Sequence, residues 1–372
     1  MNSLTINCGV TNTHVALWKD NVLWAEVASA IGVRNVAITG SRAVLEKGVS
    51  KAIAKVLAKA KCKPAKVDFV IASGMITSDI GLYEVAHVQG PAGVKELAQG
   101  MVRTNLPRVF KKPIWFVPGV KNHVENIGLH NCEAMDIMRG EEVECMAVVS
   151  QLQEKKPVLI ILPGSNSKFI SVDADGRITG CVTTLAGELM QVLTQNTILA
   201  SALNSSFAVE LNEELLLSGA RAAEKVGLGR ASFMVRILNQ FTIYTQNERA
   251  NFLLGAVLGA DLLTLKNSGA IKITPGVDVV IGGNPLLKEA FATLVRADDF
   301  FSGHVSVIGD YQSQHLAAHG ALYIAGERGL VPRFASKVAA GVAKKARVSA
   351  PAKSRRKSRK KAAKKKGRRR AR

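Results

Sequence analysis

The alternation of apolar and polar positions predicts short strands at the start of the chain. Residues 4–6, 15–18 and 22–27 are runs rich in aliphatic and β-branched side chains, a composition typical of strands. The polar, glycine-containing segment 9–13 separates the first two runs and predicts a turn. In residues 47–61, apolar positions recur at helical spacing with lysines between them, which predicts an amphipathic helix.

A second strand–turn–strand unit is predicted in the middle of the chain. The apolar runs 158–162 and 168–172 flank the turn 163–167, and a hairpin signal, Asp175-Gly176, follows. Further strands are predicted at 67–72, 114–117, 277–281 and 305–308, and further helices at 187–201, 285–295 and 316–325. A strand–turn–strand unit is therefore predicted at the start of each half of the chain.

The alternation of strands and helices indicates an α/β protein with two lobes and a cleft between them. With 372 residues, 47% of them hydrophobic, the chain is long enough for two packed domains, because single cores stop growing at roughly 250–300 residues. We place an N-terminal lobe at 1–117, a C-terminal lobe at 118–330 and a basic tail at 331–372.

The positive charge of the chain is concentrated in that tail. The formal net charge is +21, but 19 of the 50 Lys and Arg residues lie at 331–372, where there is no Asp or Glu. The other 31 basic residues stand against 29 acidic ones, so residues 1–330 carry a net charge of +2. The composition of the two lobes therefore gives no indication of a polyanionic partner.

The tail is rich in Ala, Lys and Arg and cannot build a hydrophobic core, so we expect it to be disordered. Its composition resembles that of linker-histone-like tails, and residues 344–372 predict non-specific, salt-dependent binding to nucleic acid. An acidic membrane surface and a merely solvated extension are the alternatives. No aromatic residue follows Phe334, so stacking on single-stranded bases is not indicated.

The spacing of cysteine and histidine argues against disulfides and zinc sites. The five cysteines are scattered and form no C-x-x-C pair, and the seven histidines form no H-E-x-x-H pattern. The first nine residues lack a basic segment followed by an apolar one, and no stretch of about 18 apolar residues occurs. We therefore expect no membrane span and a cytoplasmic protein, with nucleoid association through the tail as an addition.

The two turns contain residue types that bind phosphate. Glycine lets the backbone approach a ligand closely, and backbone N–H groups and hydroxyls donate to phosphate oxygens. Ordinary hairpin chemistry is the commoner explanation for a single turn of this kind. A strand that ends in Gly282-Gly283 adds a third element, whereas a G-x-x-x-x-G-K-[ST] P-loop is absent from the sequence.

In this order, the three elements resemble the actin/hexokinase superfamily, and further motifs resemble the 2-dehydro-3-deoxygalactonokinase family. The motifs that carry this closer resemblance are Ile6-Asn7-Cys8-Gly9-Val10-Thr11-Asn12, Ser73-Gly74-Met75, Val117-Pro118-Gly119, Met138-Arg139-Gly140-Glu141-Glu142, Leu162-Pro163-Gly164-Ser165-Asn166-Ser167-Lys168-Phe169, Ala186-Gly187-Glu188-Leu189 and Gly282-Gly283. The resemblance implies a two-lobed, actin/hexokinase-like (ribonuclease H-like) kinase fold. It also implies an activity, which is the ATP- and Mg²⁺-dependent phosphorylation of 2-dehydro-3-deoxy-D-galactonate, or a close 2-keto-3-deoxy sugar acid, to its 6-phosphate.

The resemblance also implies which residues bind the nucleotide and its metal. Asn7 is expected on the metal side. The expected nucleotide-binding residues are Gly9, Thr11, Asn12 and Thr13 in the first loop, Gly164, Ser165, Ser167 and Lys168 in the second, and Gly282 and Gly283 beside the adenosine.

Three further residues are candidates for the chemistry on the sugar acid. Glu141 stands where glycerol-kinase-like enzymes carry the aspartate of a Gly-Asp pair, so it is the candidate base, with Glu142 as the alternative. Arg139 is the candidate clamp for the carboxylate of the substrate. Purely structural roles remain open, because the Glu pair starts a helix, Arg139 could lie on the surface and Lys168 could face solvent.

Two positions depart from the family pattern. The family typically has Asp at the position of Asn7 and Thr-His at Ser165-Asn166. The amide of Asn7 can bond a metal-bound water but brings no negative charge, and Mg²⁺ favours carboxylates. The alternative function is therefore a catalytically degenerate protein that binds a sugar acid or a nucleotide and that its tail targets to nucleic acid.

Overall fold

Strands and helices alternate along the chain as the sequence predicts. The computed structural model describes residues 1–332. The strands are β1 Asn2–Cys8, β2 Thr13–Lys19, β3 Val22–Ser29, β4 Phe69–Gly74, β5 Val88–Gln89, β6 Val102–Thr104, β7 Ile114–Phe116, β8 Val120–Lys121, β9 Ile137–Met138, β10 Val158–Leu162, β11 Ser167–Val172, β12 Ile178–Thr184, β13 Asp278–Ile281 and β14 Val305–Val307. The helices are α1 Val33–Thr39, α2 Ala43–Lys59, α3 Val94–Gly100, α4 Glu141–Val149, α5 Ala186–Gln195, α6 Leu199–Leu203, α7 Glu213–Val226, α8 Leu228–Phe241, α9 Gln246–Asn267, α10 Pro285–Ala297 and α11 Asp310–Glu327.

The two large sheets share one topology. The first has the strand order β3-β2-β1-β4-β7-β6 and the second has the order β12-β11-β10-β13-β14. In each, an antiparallel meander of three strands is followed by two strands that run parallel to its first strand. The first sheet has one further strand, the antiparallel edge strand β6. The strand–turn–strand unit predicted to open each half is thus the first hairpin of each sheet.

Alternating side chains on the central strands divide the core into layers. On β4, Val70 contacts the cluster that includes α1 and α2, whereas Ile71 contacts a second cluster that contains α4 and α11. On β10, Ile160 faces that same second cluster and Ile161 faces the helices α5 to α10. Because successive strand residues point to opposite faces, α4 and α11 are enclosed between the two sheets.

A small three-stranded sheet, in the order β5-β8-β9, connects these layers. Its last strand, β9, leads through Arg139 and Gly140 directly into α4. This short path places the start of α4, with its three acidic residues in the first turn, beside the ends of the two large sheets.

The structure differs from the sequence prediction in two segments. The helix predicted at 187–201 is broken into α5 and α6, and a helical layer, α7, α8 and α9, lies between β12 and β13 where no element was assigned. Helix α9 packs along α7 and against α5, α6, α8 and α10, so it is apolar on most of its surface. Its residues 250–258 are all buried, and a segment that is buried on every side has no single apolar stripe from which to recognise it.

The end of the described chain belongs to the core. Val331, which was assigned to the tail from the sequence, is buried in the second cluster, which contains α4 and α11. The folded part therefore extends past residue 330. The rest of the predicted tail lies outside the described residues. The last helix, α11, packs against β1 and β4 of the first sheet, and the proposed lobe boundaries stay a prediction. Within residues 1–332, no helix is long and apolar enough to span a membrane.

Candidate active site

A cavity of about 480 Å³ lies where the carboxyl ends of the parallel strands of both sheets meet. Such crevices beyond the carboxyl ends of strands are the usual ligand sites of open α/β sheets. Nine of the residues expected to act at the site line it, namely Asn7, Gly9, Thr11, Arg139, Glu141, Gly164, Ser165, Lys168 and Gly283. The structure thus brings together both predicted phosphate loops and the start of α4.

Two glycines allow the first sheet and α4 to meet at this cavity. Gly74 has φ +86° and Gly140 has φ +123°, values that side chains other than glycine rarely adopt. A Cβ on Gly140 would lie 3.2 Å from the Cα of Gly74, and a Cβ on Gly74 would lie 2.8 Å from Oδ1 of Asn7. Without side chains at these positions, Asn7 and the acidic start of α4 share one cavity wall.

The first loop is held mainly by backbone groups. The N–H of Val33 donates to the carbonyl of Gly9 (3.2 Å) and that of Arg34 donates to the carbonyl of Val10 (2.9 Å), so the start of α1 supports the loop. Thr11 lines the cavity, but the side chain of Asn12 does not; its amide donates to the hydroxyl of Thr11 at 3.1 Å.

The expected phosphate-binding role of Thr13 is not compatible with its position. Thr13 is fully buried and its hydroxyl donates to the carbonyl of Ile31 at 2.6 Å. Its side chain stabilises the loop from behind, because strand alternation turns it away from the cavity.

In the second loop, Lys168 is a buried cation at the cavity wall. Its side chain is only 8% exposed, so the alternative that it faces solvent is wrong. The ammonium group donates to the carbonyl of Ile137 at 2.6 Å and to the hydroxyl of Thr183, and it lies 3.9 Å from the carboxylate of Asp136. Asp136 also accepts hydrogen bonds from the backbone N–H (2.5 Å) and the hydroxyl (2.8 Å) of Thr183.

Ser167, expected to bind phosphate, faces away from the cavity instead. It is 1% exposed and its hydroxyl is bonded to the carboxylate of Asp261 on α9. The same carboxylate accepts a hydrogen bond from the hydroxyl of Thr184 at 2.9 Å. Burial raises the pKa of Asp261 to about 7, although these two hydrogen bonds oppose the shift. No local pattern in the sequence points to Asp261, because its partners lie far away in the chain.

The structure separates the two candidate bases. Glu141 lines the cavity, and its carboxylate accepts a hydrogen bond from the N–H of Arg139 at 3.2 Å. Glu142 does not line the cavity: it is fully buried, and its Oε2 accepts a hydrogen bond from the N–H of Gly140 at 2.7 Å. Its Oε1 has no partner among residues 1–332. Burial, reinforced by the charge of Glu141, raises the pKa of Glu142 to about 8, which favours its neutral form at pH 7.

Glu144 is a cavity residue that the sequence analysis did not identify. It follows Glu141 by three positions on α4, so both lie on the same helix face. Burial and the charge of Glu141 raise the pKa of Glu144 to about 8. The helical spacing of these glutamates was visible in the sequence, but only the packed structure shows that this face lines the cavity.

Arg139 lines the cavity, but most of its guanidinium is already bonded. Nη1 donates to the carbonyl (2.6 Å) and the hydroxyl (2.7 Å) of Thr77, and Nη2 donates to the carbonyl of Val85 at 3.0 Å. Nη2 also lies 3.2 Å from Nδ1 of His87. Burial lowers the pKa of His87 to about 4, so its ring is neutral and can accept this bond. Arg139 therefore fixes the segment that follows β4. The alternative that Arg139 is an ordinary surface arginine is wrong.

A second cavity, of about 390 Å³, adjoins the first and shares Gly164 and Ser165 with it. Its remaining lining is mainly apolar and comes from α5, the segment before α7, α9 and the start of α10: Gly187, Met190, Thr194, Phe207, Ala208, Val209, Ala250, Leu253, Leu254, Asn284, Leu286 and Leu287. Gly283 lines the first cavity. Gly282 lines neither; a Cβ there would lie 3.1–3.3 Å from the side chains of Leu162, Ile308 and Leu316, so close packing explains this glycine.

Both cavities lie in the part of the chain that matches a known protein family. The sequence model of the 2-keto-3-deoxy-galactonokinase family matches residues 7–305, which contain every cavity residue described above. The chain belongs to this family. The resemblance inferred from the sequence motifs is thereby confirmed.

Two relatives of this kinase family member agree with that assignment. A curated protein of Rhizobium meliloti (strain 1021), provisionally named 2-dehydro-3-deoxygalactonokinase DgoK1, is 29% identical over 189 residues, which are 50% of this chain and 55% of that protein. The chain thus spans about half the length of the curated relative that it matches. A crystal structure from Sinorhizobium meliloti, provisionally described as a 2-dehydro-3-deoxygalactonokinase, has a TM-score of 0.67 and 22% identity, and covers 87% of this chain and 98% of its own. This likeness confirms the predicted α/β fold class.

Proposed function

We propose that the protein transfers the γ-phosphoryl group of ATP to the 6-hydroxyl of 2-dehydro-3-deoxy-D-galactonate, or of a close 2-keto-3-deoxy sugar acid. One observation carries this proposal: in a member of this kinase family, the two predicted phosphate loops and the carboxylate of Glu141 at the start of α4 line one cavity. Phosphoryl transfer requires this combination, because catalysis depends mainly on positioning, on neutralising charge and on a group that orients the acceptor.

The two adjoining cavities suit the two ends of a nucleotide. The apolar lining of the 390 Å³ cavity, with Phe207 and Leu254 among its residues, suits a flat base. Gly164 and Ser165 lie at the junction of the two cavities, where the phosphates would pass. The γ-phosphate would then lie in the larger cavity between the two loops, within reach of the buried cation Lys168.

The donor set of the larger cavity is compatible with Mg²⁺. It offers the amide oxygen of Asn7 and the carboxylate of Glu141, and hard cations prefer such oxygen ligands. The raised pKa of Glu144 favours its neutral form at pH 7, so Glu144 brings no full charge to this set. Within residues 1–332 there is no group of three or more acidic, His or Cys side chains that would hold a metal alone, so phosphate oxygens and water would complete the coordination. The ion would neutralise negative charge on the phosphates.

Glu141 is the residue best placed to orient and deprotonate the acceptor hydroxyl, because it lines the cavity whereas Glu142 is enclosed. The role of Arg139 as a clamp for the substrate carboxylate stays a prediction. Its bonds to Thr77, Val85 and His87 support a second role, which is to hold the wall of the sugar-acid site in place.

The test is an assay of ADP release by the full chain with ATP, Mg²⁺ and a panel of 2-keto-3-deoxy sugar acids. Turnover with at least one acid is expected, and Glu141→Gln is expected to lower it about 10²- to 10⁴-fold, the usual contribution of a general base. Glu213→Gln is the matched control, since Glu213 also lies in the first turn of a helix, α7, but outside the cavity. Absence of ADP release with every acid would refute the kinase proposal.

Asn7 supports a second candidate function, a non-catalytic protein that binds a nucleotide or sugar acid. In that case ADP would bind to the full chain while no acid would be phosphorylated. The predicted binding of nucleic acid by residues 344–372 is a separate property. Removal of residues 333–372, which keeps the buried Val331, is expected to abolish salt-sensitive DNA retention and to leave cavity activity unchanged. Retention of DNA by the truncated chain would contradict that assignment.

A further inference from the structure

Asp261 is a buried carboxylate that the proposed chemistry does not use. It lies on α9, is 5% exposed and does not line either cavity. Its carboxylate accepts hydrogen bonds from two hydroxyls, those of Thr184 (2.9 Å) and Ser167. A buried carboxylate is costly for a fold unless it is bonded, so its place behind a loop at the site calls for an explanation.

The two hydroxyls belong to one point of the second sheet. Ser167, the first residue of β11, and Thr184, the last residue of β12, are direct partners in the antiparallel register. Ser165, which lines both cavities, precedes Ser167 by two positions. The carboxylate of Asp261 therefore holds the base of the second phosphate loop.

The loop is held from its other face by Asp136. The next pair in the same register is formed by Lys168 and Thr183, which are the neighbours of Ser167 and Thr184 in the chain. Both Lys168 and Thr183 contact Asp136. Since neighbouring strand residues point to opposite faces, Asp136 and Asp261 hold the two sides of the same hairpin end.

Helix α9 connects this support to the second cavity. Leu254 lines the apolar cavity, and Asp261 follows it by seven residues, or about 10 Å along the helix axis at ~1.5 Å per residue. One rigid helix thus contributes to the wall for the base and to the support of the phosphate loop.

We propose that Asp261 is a positioning residue, which fixes Ser167 and Thr184 to α9 and so holds the second loop in the shape that binds the phosphates of the nucleotide. This inference rests on the proposed function only in that a nucleotide occupies the two cavities. Asp261 itself touches no substrate; it acts through the loop.

The test compares binding of ADP with binding of adenosine, measured by titration calorimetry on the full chain with Mg²⁺. Asp261→Asn is expected to weaken ADP binding about tenfold, the equivalent of one hydrogen bond. Adenosine binding should change less than about twofold, because the apolar cavity keeps its lining. Equal weakening of both ligands would show general damage to the fold, and unchanged ADP binding would show that the loop does not need Asp261; either result overturns the proposal.

Thr184 provides a second pair of variants that leaves α9 intact. Thr184→Val removes the hydroxyl and is expected to weaken ADP selectively by about fivefold, whereas Thr184→Ser keeps the hydroxyl and should bind as the unaltered chain does. Asp298→Asn is the matched control. Asp298 also contacts α9, because its Oδ2 lies 2.7 Å from Nζ of Lys266, but it is not part of the hairpin. Loss of ADP binding in Thr184→Ser or Asp298→Asn would overturn the proposal.

Turnover measured on the same proteins separates this inference from the proposed function. If Asp261→Asn selectively loses ADP binding but the unaltered chain shows no turnover, the positioning role of Asp261 stands and the kinase proposal is refuted. If the unaltered chain shows turnover but Asp261→Asn changes the binding of ADP and of adenosine equally, the kinase proposal stands and the positioning role is refuted. If the unaltered chain binds neither ADP nor adenosine, both proposals fail.

Discussion

The two hairpin loops occupy equivalent places in sheets of the same topology, yet they are held by different kinds of interaction. The first loop rests on backbone N–H groups of α1 and on the hydroxyl of Thr13. The second is held by the carboxylates of Asp136 and Asp261 and contains the buried cation Lys168. The repeated topology therefore fixes where a loop lies but not its charge, and in this protein the ionisable supports are concentrated on the second loop.

The largest effect is expected when the cation of the second loop is removed. Lys168→Gln should lower turnover by about 10²- to 10³-fold, because preorganised charge at the transferring phosphoryl group is lost while a donor for the carbonyl of Ile137 remains. Steady-state kinetics measure this effect. Lys266→Gln is the control, since Lys266 is a half-buried cation paired with Asp298 outside the larger cavity. Comparable loss in both variants would contradict a specific role for Lys168.

The second expected effect concerns stability and pH. The pKa of Asp261 is raised from 3.8 to about 7 by burial, so its ionisation costs more in the folded state than in the unfolded chain. The stability linked to this group is complete below pH 3.8 and is lost as the pH rises through 7. Asp261→Asn, which cannot ionise, should therefore be about 3 kcal/mol more stable than the unaltered chain at pH 9 and should show no advantage at pH 4.

Urea unfolding at these two pH values measures the difference. Asp173→Asn, a change at a more exposed carboxylate that pairs with Arg177, is the control and should not reproduce the gain at pH 9. A variant of Asp261 that is less stable than the unaltered chain at pH 9 would show that ionisation of the buried Asp261 costs the fold nothing, contrary to its raised pKa.

A smaller effect is expected from adding a charge to the first loop. Asn7→Asp places a carboxylate in the cavity, and Mg²⁺ binds carboxylates better than amides. The Mg²⁺ concentration for half-maximal turnover should fall about tenfold, which corresponds to about 1.4 kcal/mol. Asn12→Asp adds the same charge to the same loop outside the cavity lining and should shift the requirement much less. An unchanged Mg²⁺ requirement in Asn7→Asp would mean that Asn7 does not limit metal binding.

The smallest effect is expected for the neutral support of the first loop. Thr13→Val leaves the carbonyl of Ile31 without its donor and should cost about 1 kcal/mol of unfolding free energy. The bond joins two neutral groups, and burial raises the pKa of the neighbouring Cys8 thiol above its ordinary value of 9.0, so the cost should be the same at pH 5 and pH 7 in urea unfolding. Thr264→Val, which removes an exposed hydroxyl from α9, should cost less. A cost that changes with pH would contradict the contrast between the two loops.

Local patterns were sufficient to predict both hairpins. The turn at Gly9 and the turn at Gly164 are recognisable from neighbouring residues, and the start of α4 at Glu141 follows from a short motif. Prediction failed where burial on every side removes the pattern, as in residues 250–258 of α9. It also failed where the direction of a side chain depends on strand register, as for Thr13 and Ser167.

The sequence by itself determined the family, the α/β organisation and the composition of the two loops, because these depend on motifs and on periodicity over a few residues. Only the tertiary structure decided which side chains face the cavity and which are charged there. Glu142 is enclosed while Glu141 and Glu144 line the cavity, and Asp261 reaches Ser167 from 94 positions away in the chain. Burial and ion pairing arise from contacts between distant segments, so the chemistry of the second loop exists only in the assembled fold.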